Sequence, residues 1–166
     1  TIAAAIPNDT ALFVSSSRPI RDLEGFAHPR AGVHTYANRG LAGIDGNIST
    51  ALGVAYGHKS TIAVLGDLSF LHDLTGLVNK EAINCRFIVI NNDGGGIFST
   101  LPQRGVNGFE TVFGTPHGLN PAAIAQAMGV SAKQITTLKE LESEIKAPIS
   151  GVSVVVCDVP DRESNA

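Results

Sequence analysis

The sequence predicts an α/β fold, a three-layer sandwich in which a mostly parallel sheet carries helices on both faces. Three observations lead there. Five short runs are rich in branched aliphatic residues, and most are continuously apolar rather than alternating, as strands buried on both faces are. Between them lie segments whose apolar residues recur at helical spacing. Strand and helix alternate along the chain, which argues for right-handed crossovers in one parallel sheet and for functional loops at the carboxyl ends of its strands.

Taken in order, ALFV (11–14) reads as the first strand, followed by helical spacing from Pro19 to Phe26. VHTY (33–36) is the second strand, and Asp45 to Gly57 the next helix. TIAVL (61–65) leads into a helix from Leu68 to Ala82, and RFIVIN (86–91) is the fourth strand. Residues 94–120 form the one long connection without periodicity. It is rich in Gly yet carries apolar side chains, the profile of a functional loop or lid. Helices from Pro121 to Met128 and from Leu138 to Lys146, the latter with a charged outer face, precede a last strand VSVVV (152–156).

Composition narrows the function. A length of 166 residues suits one domain with a sizeable core, and 43% hydrophobic against 16% charged residues is far from the signature of disorder. The net charge is −3 and Lys and Arg are scattered, so no basic stripe for nucleic acid or an anionic membrane is present. Cys85 and Cys157 each sit in an apolar run, which points to buried thiols in a reducing compartment rather than a disulfide framework. No apolar stretch is long enough to span a bilayer and the first residues do not read as a signal peptide, so a cytoplasmic location is expected. The chain begins at Thr1 and its only methionine is Met128, which implies processing or excision from something longer.

The candidate chemistry lies at two strand ends. After the third strand the chain reads TIAVLGDLSFLHDLTGL: Gly66 permits a tight turn, Asp67 follows, and Ser69 opens a helix. Helix N-terminal amides attract phosphate, whereas an acidic residue beside them repels it unless a cation bridges the two. Asp67 thus points to a magnesium–phosphate site; Asp67 or Ser69 would also serve as a plain helix cap. After the next strand the chain reads FIVINNDGGGIF, so Asn91 and Asn92 emerge at the same carboxyl edge. Magnesium takes oxygen ligands in octahedral array, one or two from side chains and the rest from phosphate and water. Asp67, the Asn92 side-chain carbonyl and the Gly94 backbone carbonyl meet that demand, although an ordinary Gly-rich turn is the alternative for Asn91 and Asn92.

Two further features flank these ends. In YANRGLAGIDG, Gly40, Gly43 and Gly46 let the backbone approach a ligand closely, and Ile44 projects a bulky apolar side chain between two of them. Arg21 follows the first strand and Arg39 the second, each a planar fork suited to carboxylates. Arg18 and Arg30 read as surface residues. His28, His34, His58, His72 and His117 show no metal-site spacing and receive no catalytic role, although His72 lies closest in sequence to Asp67.

Gly66-Asp67 followed a helix and a strand later by Asn91-Asn92 resembles the signature of thiamine diphosphate enzymes, whose Asp and final Asn hold the magnesium that clamps the cofactor diphosphate. The general signature has Gly where this chain has Leu68. GDLS is instead similar to the menaquinone-pathway synthases of 2-succinyl-5-enolpyruvyl-6-hydroxy-3-cyclohexene-1-carboxylate, as are FVSSSRPIRDL, YANRGLAGIDGNISTALG and NNDGGGIFSTLP. These motifs cover residues 10 to 102, and the remainder resembles the family more loosely.

The resemblance implies the thiamine diphosphate-binding fold, with thiamine diphosphate and Mg2+ as cofactors and Mn2+ as a substitute. Asp67, Asn92 and Gly94 would hold the metal, with Leu68 and Ser69 beside the cofactor. Ile44 would prop its bent form, and the Gly43 carbonyl would accept from its aminopyrimidine. Ile97, Phe98 and Leu101 match an apolar wall, although core packing accounts for them equally well. Ser17, Arg21 and Arg39 would bind the carboxylates of the substrates 2-oxoglutarate and isochorismate. The family's catalytic glutamate sits on a separate pyrimidine-binding domain, reached across a subunit interface. Residues 1–166 would then be a single diphosphate-binding domain, a C-terminal fragment of a homodimeric or homotetrameric enzyme that is inactive alone. Two other readings stand beside it: a different thiamine enzyme, of the acetolactate synthase or 2-oxoacid decarboxylase type, and a noncatalytic nucleotide-binding module.

Overall fold

A computed structural model describes residues 1–41, 43–78 and 83–159. Its sheet has six strands: β1 (Ala11–Val14), β2 (Thr35–Tyr36), β3 (Thr61–Gly66), β4 (Cys85–Asn91), β5 (Ser131–Ile135) and β6 (Val152–Asp158). All pairs are parallel, in the order β2-β1-β3-β4-β6-β5. The helices are α1 (Ile2–Ala5), α2 (Arg18–Phe26), α3 (Asn47–Tyr56), α4 (Asp67–His72), α5 (Pro121–Ala127) and α6 (Leu138–Lys146).

The continuous apolar runs are explained by two cores, one on each face of the sheet. Successive strand residues point to opposite faces. Phe13, Ala63, Leu65, Phe87, Val89, Val154 and Val156 therefore pack on one side with Ile48 and Leu52 of α3, Phe70 of α4 and Ala125 of α5. Leu12, Val14, Ile62, Val64, Ile88, Val155 and Cys157 pack on the other with Ile20 of α2 and Leu141 and Ile145 of α6. The chain leaves β1 for β2 on one side and returns to β3 on the other. That reversal opens a crevice beyond the carboxyl ends of β1 and β3, where ligands of such folds bind.

The departures from expectation have physical causes. Strand β5, SAKQI, is a solvated sheet edge with four of its five residues outside the core, so it lacks the apolar signal sought in the sequence. The second strand shortens to two exposed residues. Helix α4 ends at His72 and is followed by a 3-10 turn, Leu74–Val78; the rest of the expected helix, 79–82, lies outside the described residues. The long connection is tied down by a 3-10 turn at Gly96–Thr100, a π-type turn at Glu110–Gly114 and a 2.7 Å bond from the Gly95 amide to the Gly114 carbonyl.

Both cysteines are free and buried, as expected, and burial pushes each thiol up to about 12, with the Asp158 carboxylate adding to the effect at Cys157. Among the described residues no helix is long and apolar enough to cross a membrane. Arg30 is more than a surface residue. It donates to the carbonyls of Ala3 (3.0 Å) and Ile6 (2.8 Å) and to Asn8 Oδ1 (2.6 Å), fastening α1 to the body of the domain.

Arg86 does the same work for α6, from inside. It lies on the central strand β4 and is buried, with Nη1 donating to the carbonyls of Glu144 and Ala147 (2.9 Å) and Nη2 to that of Pro148 (3.0 Å). These carbonyls terminate the helix and have no intrahelical donor. Burial draws the guanidinium below its ordinary pKa, opposed by the Glu144 carboxylate. Arg86→Met should destabilise the domain by about 3 kcal/mol, the scale of leaving buried acceptors unpaired. Arg86→Lys, which keeps charge but loses the fork, should fall between, as read from urea midpoints at constant m.

Candidate functional site

The tips of β3 and β4 are adjacent, with Gly66 in register with Ile90, so Asp67 faces the residues that leave β4. Its carboxylate is 2% exposed and must find donors. Oδ1 accepts from the Leu68 amide at 2.7 Å. Oδ2 accepts from the amides of Gly94 (2.8 Å) and Asn92 (3.2 Å). The turn they occupy needs residues tolerant of unusual backbone: Asp93 has φ +56 and Gly94 φ +131. The Gly94 carbonyl accepts from the Gly96 amide at 2.9 Å, which leaves it a second lone pair. Asp67, Asn92 and Gly94 are thus brought together as the sequence predicts.

The loop before α3 is fixed to the same corner. Ser69 donates its hydroxyl to the Ile44 carbonyl (2.9 Å), and Asn47 Nδ2 donates to Ser69 Oγ (3.0 Å) and to the Asp45 carbonyl (3.2 Å). Ile44, Asp67, Leu68, Ser69, Asn92, Gly94, Ile97 and Phe98 then line one cleft of about 730 Å³, in the size range of small-molecule sites. Ser17 lines its β1 side.

Four predicted residues do not line it. Gly43 is off the cleft wall that Ile44 forms, and a Cβ added there would lie 2.3 Å from Asp45 Oδ1. Arg21 is exposed and folds back to donate to the Ser17 carbonyl at 2.7 Å. Arg39 is exposed beyond β2, and Leu101 is exposed after the Gly96–Thr100 turn. The cleft's guanidinium on this side belongs to Arg18, which the sequence reading leaves at the surface; it pairs with Asp22 at 2.9 Å. Arg18, the first residue of α2, lies nearest the carboxyl end of β1, and Arg21 lies nearly one turn farther along the helix.

One residue is missed altogether. His117 Nε2 stands 3.3 Å from Asp67 Oδ2, with a side chain only 10% exposed. It is 50 residues away in sequence and no spacing rule connects the two. The signal that could have found it is its place in the long Gly-rich connection. His72, the histidine nearest in sequence, is exposed in the last turn of α4. Among the described residues, three of the four non-glycine positions with positive φ (Ser17, Asp93 and Thr115) flank this corner, the distribution expected where a site stores backbone strain.

The donor set fits an open cation site. Among the described residues there is no group of three or more His, Cys, Asp or Glu that would enclose a metal by itself. A single buried carboxylate with an amide carbonyl and a backbone carbonyl beside it suits magnesium, which draws its other ligands from phosphate and water.

Residues 23–159 match the family model described as thiamine pyrophosphate enzyme, C-terminal TPP binding domain. The chain belongs to that family. It is 43% identical to a 2-succinyl-5-enolpyruvyl-6-hydroxy-3-cyclohexene-1-carboxylate synthase of Thermobifida fusca, over 84% of this chain and 27% of the relative. It is 42% identical to the synthase of the same name from Bacillus cytotoxicus, over 99% of this chain and 29% of the relative. The chain therefore spans less than a third of the length of these curated relatives. Its fold is that of benzoylformate decarboxylase from Polynucleobacter necessarius, with a TM-score of 0.71 at 21% identity, over 99% of this chain and 32% of that one.

Two neighbouring glycines separate stability from site geometry. A Cβ on Gly95 would fall 2.1 Å from the Phe113 carbonyl oxygen, a backbone atom, whereas one on Gly96 would meet Asn92 Nδ2 at 2.2 Å, the end of a side chain that can turn. Gly95→Ala should cost about 2–3 kcal/mol, the scale of overpacking, and Gly96→Ala less than about 1. Denaturant midpoints give both values. Equal costs would mean that the loop closure is not rigid.

Proposed function

We propose that the cleft holds thiamine diphosphate through a magnesium ion, and that the protein acts as a synthase that decarboxylates 2-oxoglutarate and adds the resulting four-carbon unit to isochorismate in menaquinone biosynthesis. The observation that carries this is the convergence of a buried Asp67 with Asn92 and Gly94 from the next strand tip. Membership of the thiamine pyrophosphate enzyme family and the names of the relatives support it.

Thiamine diphosphate supplies a nucleophilic carbon on which 2-oxo acids lose carbon dioxide. Asp67, the Asn92 side-chain carbonyl and the Gly94 carbonyl would hold Mg2+, or Mn2+ in its place. Leu68 and Ser69 would stand beside the diphosphate, with Ile44, Ile97 and Phe98 as the apolar wall and Leu101 at its rim. The Gly43 carbonyl would meet the aminopyrimidine. Ser17, Arg21 and Arg39 would bind substrate carboxylates; Arg21 has first to release the Ser17 carbonyl, and Arg18 is already on the cleft wall. The proton-relaying glutamate would come from the pyrimidine-binding domain of a second subunit, so that the working form is a homo-oligomer and this chain alone does not turn over.

Ligand that binds only the folded state raises the unfolding midpoint. Thiamine diphosphate with Mg2+ at about 100 times its Kd should add about 2.7 kcal/mol, or roughly 5–10 °C for a domain of this size. The shift should need both components and vanish in Asp67→Ala. A shift of equal size in Asp67→Ala, or one independent of Mg2+, would remove the cation from the account.

A further inference from the structure

The Asp67 carboxylate meets four donors from its own chain. Oδ2 accepts from two backbone amides and faces His117 Nε2, while Oδ1 accepts from Leu68. The imidazole is oriented from its other side. The Leu119 amide donates to Nδ1 at 3.0 Å, which makes Nδ1 an acceptor and leaves Nε2 as the N–H that faces Asp67. The segment bearing the ring is held down by Asp93, whose Oδ1 accepts from the amides of His117 (3.0 Å) and Gly118 (2.7 Å) and lies 3.4 Å from Nδ1. Two residues earlier Thr115 is bent to φ +44, a conformation that a β-branched residue adopts only at a cost.

Three donors converge on Oδ2, whereas Oδ1 has one, so a cation that takes Oδ2 as its ligand displaces one of the three. The Asn92 and Gly94 amides belong to the turn that closes β4 and leave only if that turn is undone. His117 is delivered by a side chain on a strained segment, and is the donor that can go.

We propose that His117 is a stand-in for the cation: in the metal-free domain its Nε2–H fills the place on Asp67 that the divalent ion takes, and metal loading expels the imidazole and relaxes the Thr115–Leu119 segment. The inference rests on the reading of Asp67 as a cation ligand. The device keeps a buried charge paired while the cofactor is away, and its cost is weaker binding, because the metal must break an existing contact.

The test measures Mn2+ binding to the chain with thiamine diphosphate present, from the paramagnetic resonance signal of free Mn2+. His117→Ala should bind about tenfold tighter than wild type, the scale of one hydrogen bond to a charged group. His117→Gln, which keeps a donor but not the ring, should fall between and guards against collapse of the loop. The metal-free His117→Ala chain should unfold at a lower temperature than wild type, with the gap closing once both are loaded; a merely structural role would leave the gap unchanged. Unchanged or weaker Mn2+ binding by His117→Ala, with binding still abolished in Asp67→Asn, overturns the stand-in and leaves the cation site intact. Binding that survives in Asp67→Asn, or no binding by any variant, overturns the cation reading and the stand-in with it.

Discussion

The carboxylate of Asp67, buried at the carboxyl edge of the sheet, is the constraint around which the rest of the corner is organised. A charge so placed is tolerated only where donors surround it, and here they come from outside its own strand. The residues leaving β4 are obliged to curl back and present amides, which requires Asp93 and Gly94 in left-sided backbone conformations. That curl leaves Asn92 and Gly94 on the wall of the same cleft. The proposed cation site and the local fold thus draw on one set of contacts, and a substitution at Asp67 acts on both.

The stability of the domain lies elsewhere. The two cores and the arginine fasteners at α1 and α6 hold the sheet and its flanking helices, while the positive-φ residues Ser17, Asp93 and Thr115 flank the site. This division lets an over-determined frame maintain conformations that would not persist on their own. It also accounts for the tethering of the long connection at Gly95, Gly114 and His117.

What could be read from the sequence follows the range of the interaction concerned. Strands β3, β4 and β6 announced themselves because both faces are covered, so most positions are apolar; β5 did not, because edge exposure leaves SAKQI polar. Asp67 and Asn92 were legible because adjacent parallel strands bring successive tips together, a rule of topology. Ile44 and Ser69 were found through the family resemblance, and the bond between them supplies the local reason. His117 depends on how a long loop returns across the corner, and no local rule encodes that. Arg18 and Arg21 both fit a carboxylate chemically and lie on the same side of α2, so sequence spacing does not separate them; Arg18 lines the cleft and Arg21 folds back to the Ser17 carbonyl.

The all-parallel sheet also bears on how the domain comes to exist. None of the five strand pairs can be made by a hairpin, because parallel neighbours need a crossover between them. The bonds at the corner join residues 25, 27 and 50 apart, and their closure entropy is recovered only once the sheet register is in place. The corner is therefore built on the sheet register rather than ahead of it. A growing chain carries two apolar faces, exposed and complete in composition, well before it has anything with which to greet a ligand, and during that interval its safety depends on the speed of collapse rather than on cofactor supply.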